Sequence, residues 1–323
     1  MKLATFNMES FGSDRFDMAA LRPRLAALRP KILELEADIL CLQEVNAQKL
    51  RGASQRQFQA LDLLLHDTPY QDYYCAASER EPGKGPGQRH NLVVLSRYPI
   101  KNHDSLFQHH ANAPKWQPKT AEPAYDEPQG IEYERPILKT EIDLGGERPL
   151  HLFVVHLRAP IAAMIRGGKN EDRYWKSLSA WAEGYQLSVL KQISQALELR
   201  IAVEALFDED ENAQIVVTGD FNATGETGTL RLLRADPDDT GSPDMANRRL
   251  FQLDASLPPD RRKTVIHRGK GQALDHILAS AEVTDKTLSV KVFNYELPDE
   301  VFDAGSSDYA GSYHAAMRAE FDL

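Results

Sequence analysis

Short apolar runs of strand length recur along the whole chain, and segments of helical period lie between them. The runs are 3–6, 38–42, 92–95, 137–142, 150–155, 215–218, 264–267, 274–279, 288–293 and 315–321, each about as long as a buried strand. Three other segments, 18–36, 55–66 and 173–207, space apolar residues at helical intervals. In the last of them Leu178, Trp181, Tyr185, Val189, Gln192 or Ile193, Leu197, Ile201 and Leu206 trace one stripe, which predicts the buried face of a long helix. Strands and helices that interleave from end to end, with no composition break and no repeat, describe an α/β chain. It is read as a single domain over residues 1–323. Four punctuated segments (79–89, 109–136, 167–172 and 235–262) are loops, long enough that work at one rim is expected of them.

Composition narrows the function classes. The chain has 38 Lys+Arg against 48 Asp+Glu and a net charge of −10. That counts against wrapping a long polyanion, which needs clustered cations. It leaves room for phosphate chemistry at a metal, where the ion brings the positive charge. Cys41 lies within an apolar run and reads as a buried free thiol, and with Cys75 the only other cysteine a disulfide framework is excluded. No apolar stretch reaches the ~18 residues of a membrane span, and the N-terminus shows no secretory segment. A cytoplasmic monomer without membrane insertion is expected.

Polar residues gather at the ends of the apolar runs. Asn7 ends the first, Glu44 follows 38–42, His156 ends 150–155, Asp220 and Asn222 follow 215–218, Asp275 sits inside 274–279, and His314 opens the last. Strand ends are where a rigid scaffold can hold such groups around a cleft. Asn7, Glu44, Asp220 and Asn222 offer hard oxygen donors suited to Mg2+ or Mn2+. His156 and His314 can carry protons or bind an oxyanion. Singly, each is equally well a turn residue, a cap or a satisfied strand-end histidine; the joint pattern is what a structural role does not predict.

Thr5-Phe6-Asn7, Leu42-Gln43-Glu44-Val45, Leu95-Ser96-Arg97-Tyr98-Pro99-Ile100, Val155-His156-Leu157, Gly219-Asp220-Phe221-Asn222 and Leu274-Asp275-His276-Ile277-Leu278 occur in that order. The set resembles the endonuclease/exonuclease/phosphatase superfamily of metal-dependent phosphoesterases, from residue 3 to the C-terminus. The resemblance implies a four-layer α/β sandwich, two mixed β-sheets packed face to face with helices outside. It also implies that Glu44 with Asn7 holds a divalent metal and that Asp220, fixed by Asn222, deprotonates the attacking water. Asp275 would orient His314, and His314 with His156 would contact phosphoryl oxygens.

One segment departs from that pattern. The superfamily ends on Ser-Asp-His before its last strand, whereas here Ser312-Tyr313-His314 precedes the final run. His314 is taken as the histidine, and Asp308, a few residues earlier, as the carboxylate that could replace the missing Asp. Asn91 at the start of 92–95, and Arg158 two residues past His156, are expected substrate contacts, with Arg135 a weaker third. His109-His110 is read as loop, because adjacent side chains diverge. The expected activity is hydrolysis of a phosphodiester or phosphomonoester by in-line attack of water. A small ester or short single-stranded nucleic acid is favoured over duplex DNA. The alternative is a binding or scaffold protein that keeps the fold without turnover.

Overall fold

The computed structural model describes residues 1–13, 16–303 and 309–323. In chain order its strands are β1 (Lys2–Phe11), β2 (Ile39–Val45), β3 (Tyr74–Ala77), β4 (Asn91–Ser96), β5 (Ile100–Leu106), β6 (Lys115–Trp116), β7 (Gln129–Gly130) and β8 (Ile137–Ile142). They continue as β9 (Leu150–His156), β10 (Gln214–Asp220), β11 (Phe251–Gln252), β12 (Val265–His267), β13 (Lys270–Gln272), β14 (Asp275–Ala279), β15 (Thr287–Val292) and β16 (Met317–Phe321). The longer helices are α1 (Met18–Glu34), α2 (Gln59–Leu65), α3 (Leu178–Glu209) and α4 (Gly228–Arg234).

Successive strand residues face opposite ways, and the apolar runs sort accordingly. Leu3, Ile39, Cys41 and Met317 meet Leu152, Val154, Val216 and Ile277 in one buried cluster. Their neighbours Ala4, Phe6, Leu40 and Leu42 pack on Leu21, Leu28 and Ile32 of α1 and Leu61 and Leu64 of α2. On the other side Phe153, Val155, Ile215 and Val217 meet Ala196, Leu199 and Val203 of α3 and Leu230 of α4. Three cores in succession make four layers, helix, sheet, sheet, helix. The first sheet runs β15-β16-β1-β2-β4-β3 and the second β11-β14-β10-β9-β8-β5. Both are mixed, with β1–β2 and β9–β10 parallel and their other neighbours antiparallel. Fully burying a side chain such as Phe6 or Phe153 contributes about 1.5–3 kcal/mol, and the strands are lined with them.

The long helix differs from its expected face. Leu178 is 83% exposed, and Trp181, Tyr185, Val189, Leu197 and Ile201 are exposed as well; of the expected stripe only Gln192 and Leu206 are buried. The inward residues are instead Ala180, Gly184, Ser188, Ala196, Leu199 and Val203. In the first half of the helix the reason is close approach: a Cβ on Gly184 would lie 2.3 Å from the Ala163 carbonyl oxygen, so small residues face in there, while Leu199, Val203, Leu206 and Phe207 fill the core further along. The helix starts at Leu178 rather than near 173 because Ser177 caps it, its hydroxyl accepting from the Ala180 N–H at 3.0 Å.

Two strands, β3 and β5, carry no clear apolar run. Both are sheet edges, and residues 101–104 of β5 are exposed. The run 264–267 pairs with 270–272 and bridges to Asp299 at Ile266, outside both large sheets. Loops 79–89, 109–136 and the segment after His156 open at the end of the sandwich where β9 and β10 finish. The loop over 235–262 is only partly there, since it enters β11 where Phe251 pairs with Ala279, at the opposite end of β14 from Asp275. Among the described residues no helix is long and apolar enough to cross a membrane.

Candidate active site

Strand ends bring the polar residues together at the seam between the sheets. Asn7 and Glu44 come from β1 and β2 of the first sheet, and His314 lies three residues before the start of β16 in the same sheet. His156, Asp220 and Asp275 come from β9, β10 and β14 of the second, where Asp220 stands opposite both His156 and Asp275 in register. Gly219 makes this register possible. Its φ is +133°, and a Cβ there would sit 2.1 Å from the Val155 carbonyl oxygen.

The backbone is bent at several of these points. Glu9, Ser10, Glu44, His90 and Asn222 all have φ between 49° and 59°, a region that L residues enter only when their surroundings hold them there. The register slips along β1–β2 and β2–β4 at the same place. One outcome is that Gln43 turns inward to Thr5, with 3.0 Å from its Nε2 to the hydroxyl, while Glu44 turns to the cleft. The Ser10 N–H and hydroxyl then donate to Glu44 Oε2 at 2.9 and 3.2 Å.

Hydrogen bonds cross the seam. Asn7 Nδ2 donates to Asp220 Oδ2 at 2.9 Å and to Glu44 Oε1 at 3.4 Å, and its Oδ1 accepts from the Glu9 N–H at 2.9 Å. His156 Nε2 lies 3.4 Å from Asp220 and 3.6 Å from Glu44. His314 Nδ1 meets Asp275 Oδ2 at 2.9 Å, and its Nε2 is 3.9 Å from Asp220. Asn222 steadies Asp220 through its backbone N–H, 2.8 Å from Oδ1, while its amide group donates to the Leu157 carbonyl at 3.0 Å. Asn7, Glu44, His156, Asp220, Asn222, Asp275 and His314 thus form one constellation.

The two expected substrate contacts stand differently. Asn91 is buried and spends its amide hydrogens on the Val45 and Gly87 carbonyls at 2.8 and 2.9 Å. It shapes the loop and offers no free donor. Arg158 lies beside the cleft with its guanidinium on Glu134 at 2.9 Å, and Lys191 reaches the same carboxylate at 2.6 Å. Asp308 lies outside the described residues.

Three further residues belong here. His90 Nδ1 stands 3.2 Å from Glu44 Oε2. Glu9 accepts from the Tyr313 N–H at 2.8 Å, placing a carboxylate beside the segment where Tyr313 replaces Asp. Arg24 of α1 donates to the Gly311 and Glu9 carbonyls at 2.9 and 3.0 Å and so fixes both loops. Glu9 lies two residues past Asn7, and His90 adjoins the Asn91 singled out above; both were within reach of the sequence pattern. Nothing in the sequence points to Arg24.

Charge states follow from burial and partners. Burial would raise the Glu44 carboxyl, but the His90 imidazole against its Oε2 outweighs it and holds the group far below its usual range. Burial, reinforced by the Arg135 guanidinium, pushes the His156 imidazole well down. Asp220 goes the other way, raised by burial and by the Asp275 carboxylate. Burial would lower His314 as well, yet Asp275 against its Nδ1 carries it up to about 10. Among the described residues six buried polar side-chain atoms make no hydrogen bond, and His90 Nδ1, Arg135 Nη1, His156 Nδ1 and Asp275 Oδ1 are four of them. Buried polar atoms are almost always paired, so their gathering here points to a polar ligand. Two groups, Glu44/His90/His156 and Asp220/Asp275/His314, each bring three ligand atoms within 4.8 Å of one another, near enough to share a metal ion.

Residues 4–293 match the model of the Endonuclease/Exonuclease/phosphatase family. No curated protein sequence matches the chain significantly. Among solved structures it is similar in fold to truncated Caenorhabditis elegans TDP2, at 14% identity and a TM-score of 0.57 over 99% of this chain and 96% of that one. It is likewise similar to an AP endonuclease from Archaeoglobus fulgidus (18%, TM-score 0.52) and a 3'-5' exonuclease from Neisseria meningitidis (16%, TM-score 0.55), each covering 100% of both chains.

Proposed function

The chain belongs to the Endonuclease/Exonuclease/phosphatase family, and from that premise we propose that it is a divalent-metal-dependent phosphoesterase in which an activated water attacks a phosphodiester or phosphomonoester. The observation that carries the reading is the convergence of Asp220 with Asn7, His156 and His314 across the seam, at 2.9, 3.4 and 3.9 Å. A divalent ion fits the hard oxygen donor Glu44. Asn7 turns its Nδ2 to Glu44 Oε1 and Asp220 Oδ2, so it would orient the carboxylate that holds the ion rather than supply an oxygen of its own. Mg2+ or Mn2+ held there would neutralise phosphoryl charge and stabilise the leaving oxygen.

The other roles fall to the chain itself. Asp220, held by Asn7 and the Asn222 N–H, takes a proton from the water as its oxygen bonds to phosphorus and the ester P–O bond breaks. His314, kept cationic by Asp275, donates to a phosphoryl oxygen. His156, buried and neutral, faces the opposite side of the same space. Arg135 and Arg158 flank the position of the next phosphate or sugar group. Because both sheets supply the site, residues 1–323 are read as one working domain. The acidic balance supports a small soluble phosphodiester or short single-stranded nucleic acid over duplex DNA, acted on by a cytoplasmic monomer. A binding-only role drew on the altered Ser-Asp-His segment, and the Glu9 carboxylate beside Tyr313 weakens it.

Turnover of an activated phosphodiester in Mg2+, Mn2+ and EDTA tests the reading. EDTA should abolish it, and Asp220→Asn should lower kcat by about 10^2–10^4-fold, the usual worth of a general base. Equal activity in Glu44→Ala, Asp220→Ala, His314→Ala and the parent would refute it. A panel of duplex, single strand, RNA and nucleotide esters at several salt concentrations then separates the substrates, since steep salt dependence marks a polyanion.

A further inference from the structure

We propose that Glu44, His90 and His156 form a single cation site of one carboxylate and two imidazoles, and that it selects a later transition-metal dication such as Fe2+ or Zn2+ over Mg2+, with Mn2+ serving as its paramagnetic probe. The inference rests on the metal-dependent reading of the same cleft and specifies its metal. Glu44 faces the two histidines with different oxygens: Oε2 is 3.2 Å from His90 Nδ1, and Oε1 is 3.6 Å from His156 Nε2. Neighbouring ligands of an octahedral ion with bonds of about 2.1 Å stand roughly 3 Å apart, so these separations already approach those of a shared coordination sphere.

His90 supplies the independent observation. Its Nδ1 is buried and near a carboxylate oxygen, yet the two atoms are not aligned as a hydrogen bond. A buried ring nitrogen left without an aligned partner beside a carboxylate oxygen leaves both atoms able to turn towards a third atom between them. The residue is also held in place. Its φ is +58°, and its N–H donates to Asn46 Oδ1 at 3.0 Å. A turn that costs conformational energy thereby brings an imidazole to Glu44. His156 approaches from the other sheet, almost fully buried.

The donor set decides the metal. Mg2+ prefers oxygen ligands and keeps several waters, whereas imidazole favours later divalent ions, and two histidines with one carboxylate suit them with positions left open. A site of Glu44 and Asn7 alone would not discriminate in this way. The alternative role for His90 is that of a protonated partner whose only task is to steady Glu44.

Electron spin-echo envelope modulation of Mn2+ bound to the full chain separates the two. The expected result is 14N modulation from two imidazoles, reduced to one in His90→Asn, with Mn2+ affinity weakened at least about tenfold and Mg2+ affinity, read by displacement of Mn2+, changed much less. Bound Mn2+ without 14N coupling overturns the proposal. So does modulation and affinity unchanged in His90→Asn, with circular dichroism confirming that the variant is folded. Intact 14N coupling in a protein that turns over no phosphoester in any metal would overturn the proposed function and leave the metal site standing.

Discussion

His276 sits one residue from Asp275 on the opposite face of β14, with no exposed surface. Its Nδ1 meets Asp254 Oδ2 at 2.9 Å, and its Nε2 meets the Ala223 carbonyl at 2.8 Å, just past Asn222. Burial would lower the imidazole, but the equally buried Asp254 outweighs it and raises it above 6.5. His276 in turn helps hold Asp254 below 3.8 against its own burial. The histidine's contribution is therefore complete below about pH 6.5 and is lost as pH rises through its folded value; the aspartate's is complete above about pH 3.8 and is lost as pH falls through its folded value. Between about pH 4 and 6.5 both are present. Urea denaturation should show stability falling from pH 6 towards pH 9 more steeply in the parent than in His276→Gln. Asp254→Asn should cost about 3–5 kcal/mol at pH 6, because it leaves a buried charge unpaired. Equal pH slopes would count against the pair. Residues such as Asn7 and Asp220 were legible because each ends an apolar run. His90 and Glu9 stand beside residues that the pattern singled out, yet their own direction was not legible, because left-handed turns redirect them and strand alternation carries no sign of such a turn.

At the scale of elements, α3 reverses the ordinary ranking of hydrophobic residues. Gly184 lies against Ala163, while Trp181 stacks on Tyr185 at 43% exposure. Gly184→Ala should cost about 1–3 kcal/mol through overpacking, and Trp181→Ala less than about 1 kcal/mol. Chemical denaturation of the two variants checks the order; a larger loss at Trp181 would show that the outer stripe is packed after all. The helix matters to the site because Gln192 donates to the Arg158 and Asn222 carbonyls at 2.8 and 3.0 Å, so a displaced α3 would move both strand-end loops. The number and order of the central strands could be read from their apolar runs. Which face of α3 turns inward could not, since close backbone approach at Gly184 puts small residues inside its first half while Trp181 and Tyr185 stay outside. The pairing of twelve strands into two sheets depends on contacts far apart in sequence; the resemblance to a family supplied the two packed sheets, and the strand order within each came with the structure.

Across the whole molecule, each sheet holds half of the constellation. Asn7, Glu44, His90 and His314 move with the first, and His156, Asp220 and Asp275 with the second. A metal that binds both halves binds only the docked sandwich, so it should stabilise the fold by mass action, about 2.7 kcal/mol at a hundredfold excess over Kd. Calorimetry should show Tm rising by several degrees with Mn2+, a rise removed by EDTA and absent in Glu44→Gln; a Tm indifferent to Mn2+ would mean that the ion does not bridge the sheets. The same division has a mechanical consequence. The 2.9 Å contacts Asn7–Asp220 and His314–Asp275 both span the seam, and a slide of one sheet over the other by less than an ångström would break them without exposing any core residue. Turnover is therefore a more sensitive gauge of interlayer alignment than stability is. Conservative changes in the inter-sheet core, at Val154 or Val216, should detune catalysis before they loosen the fold.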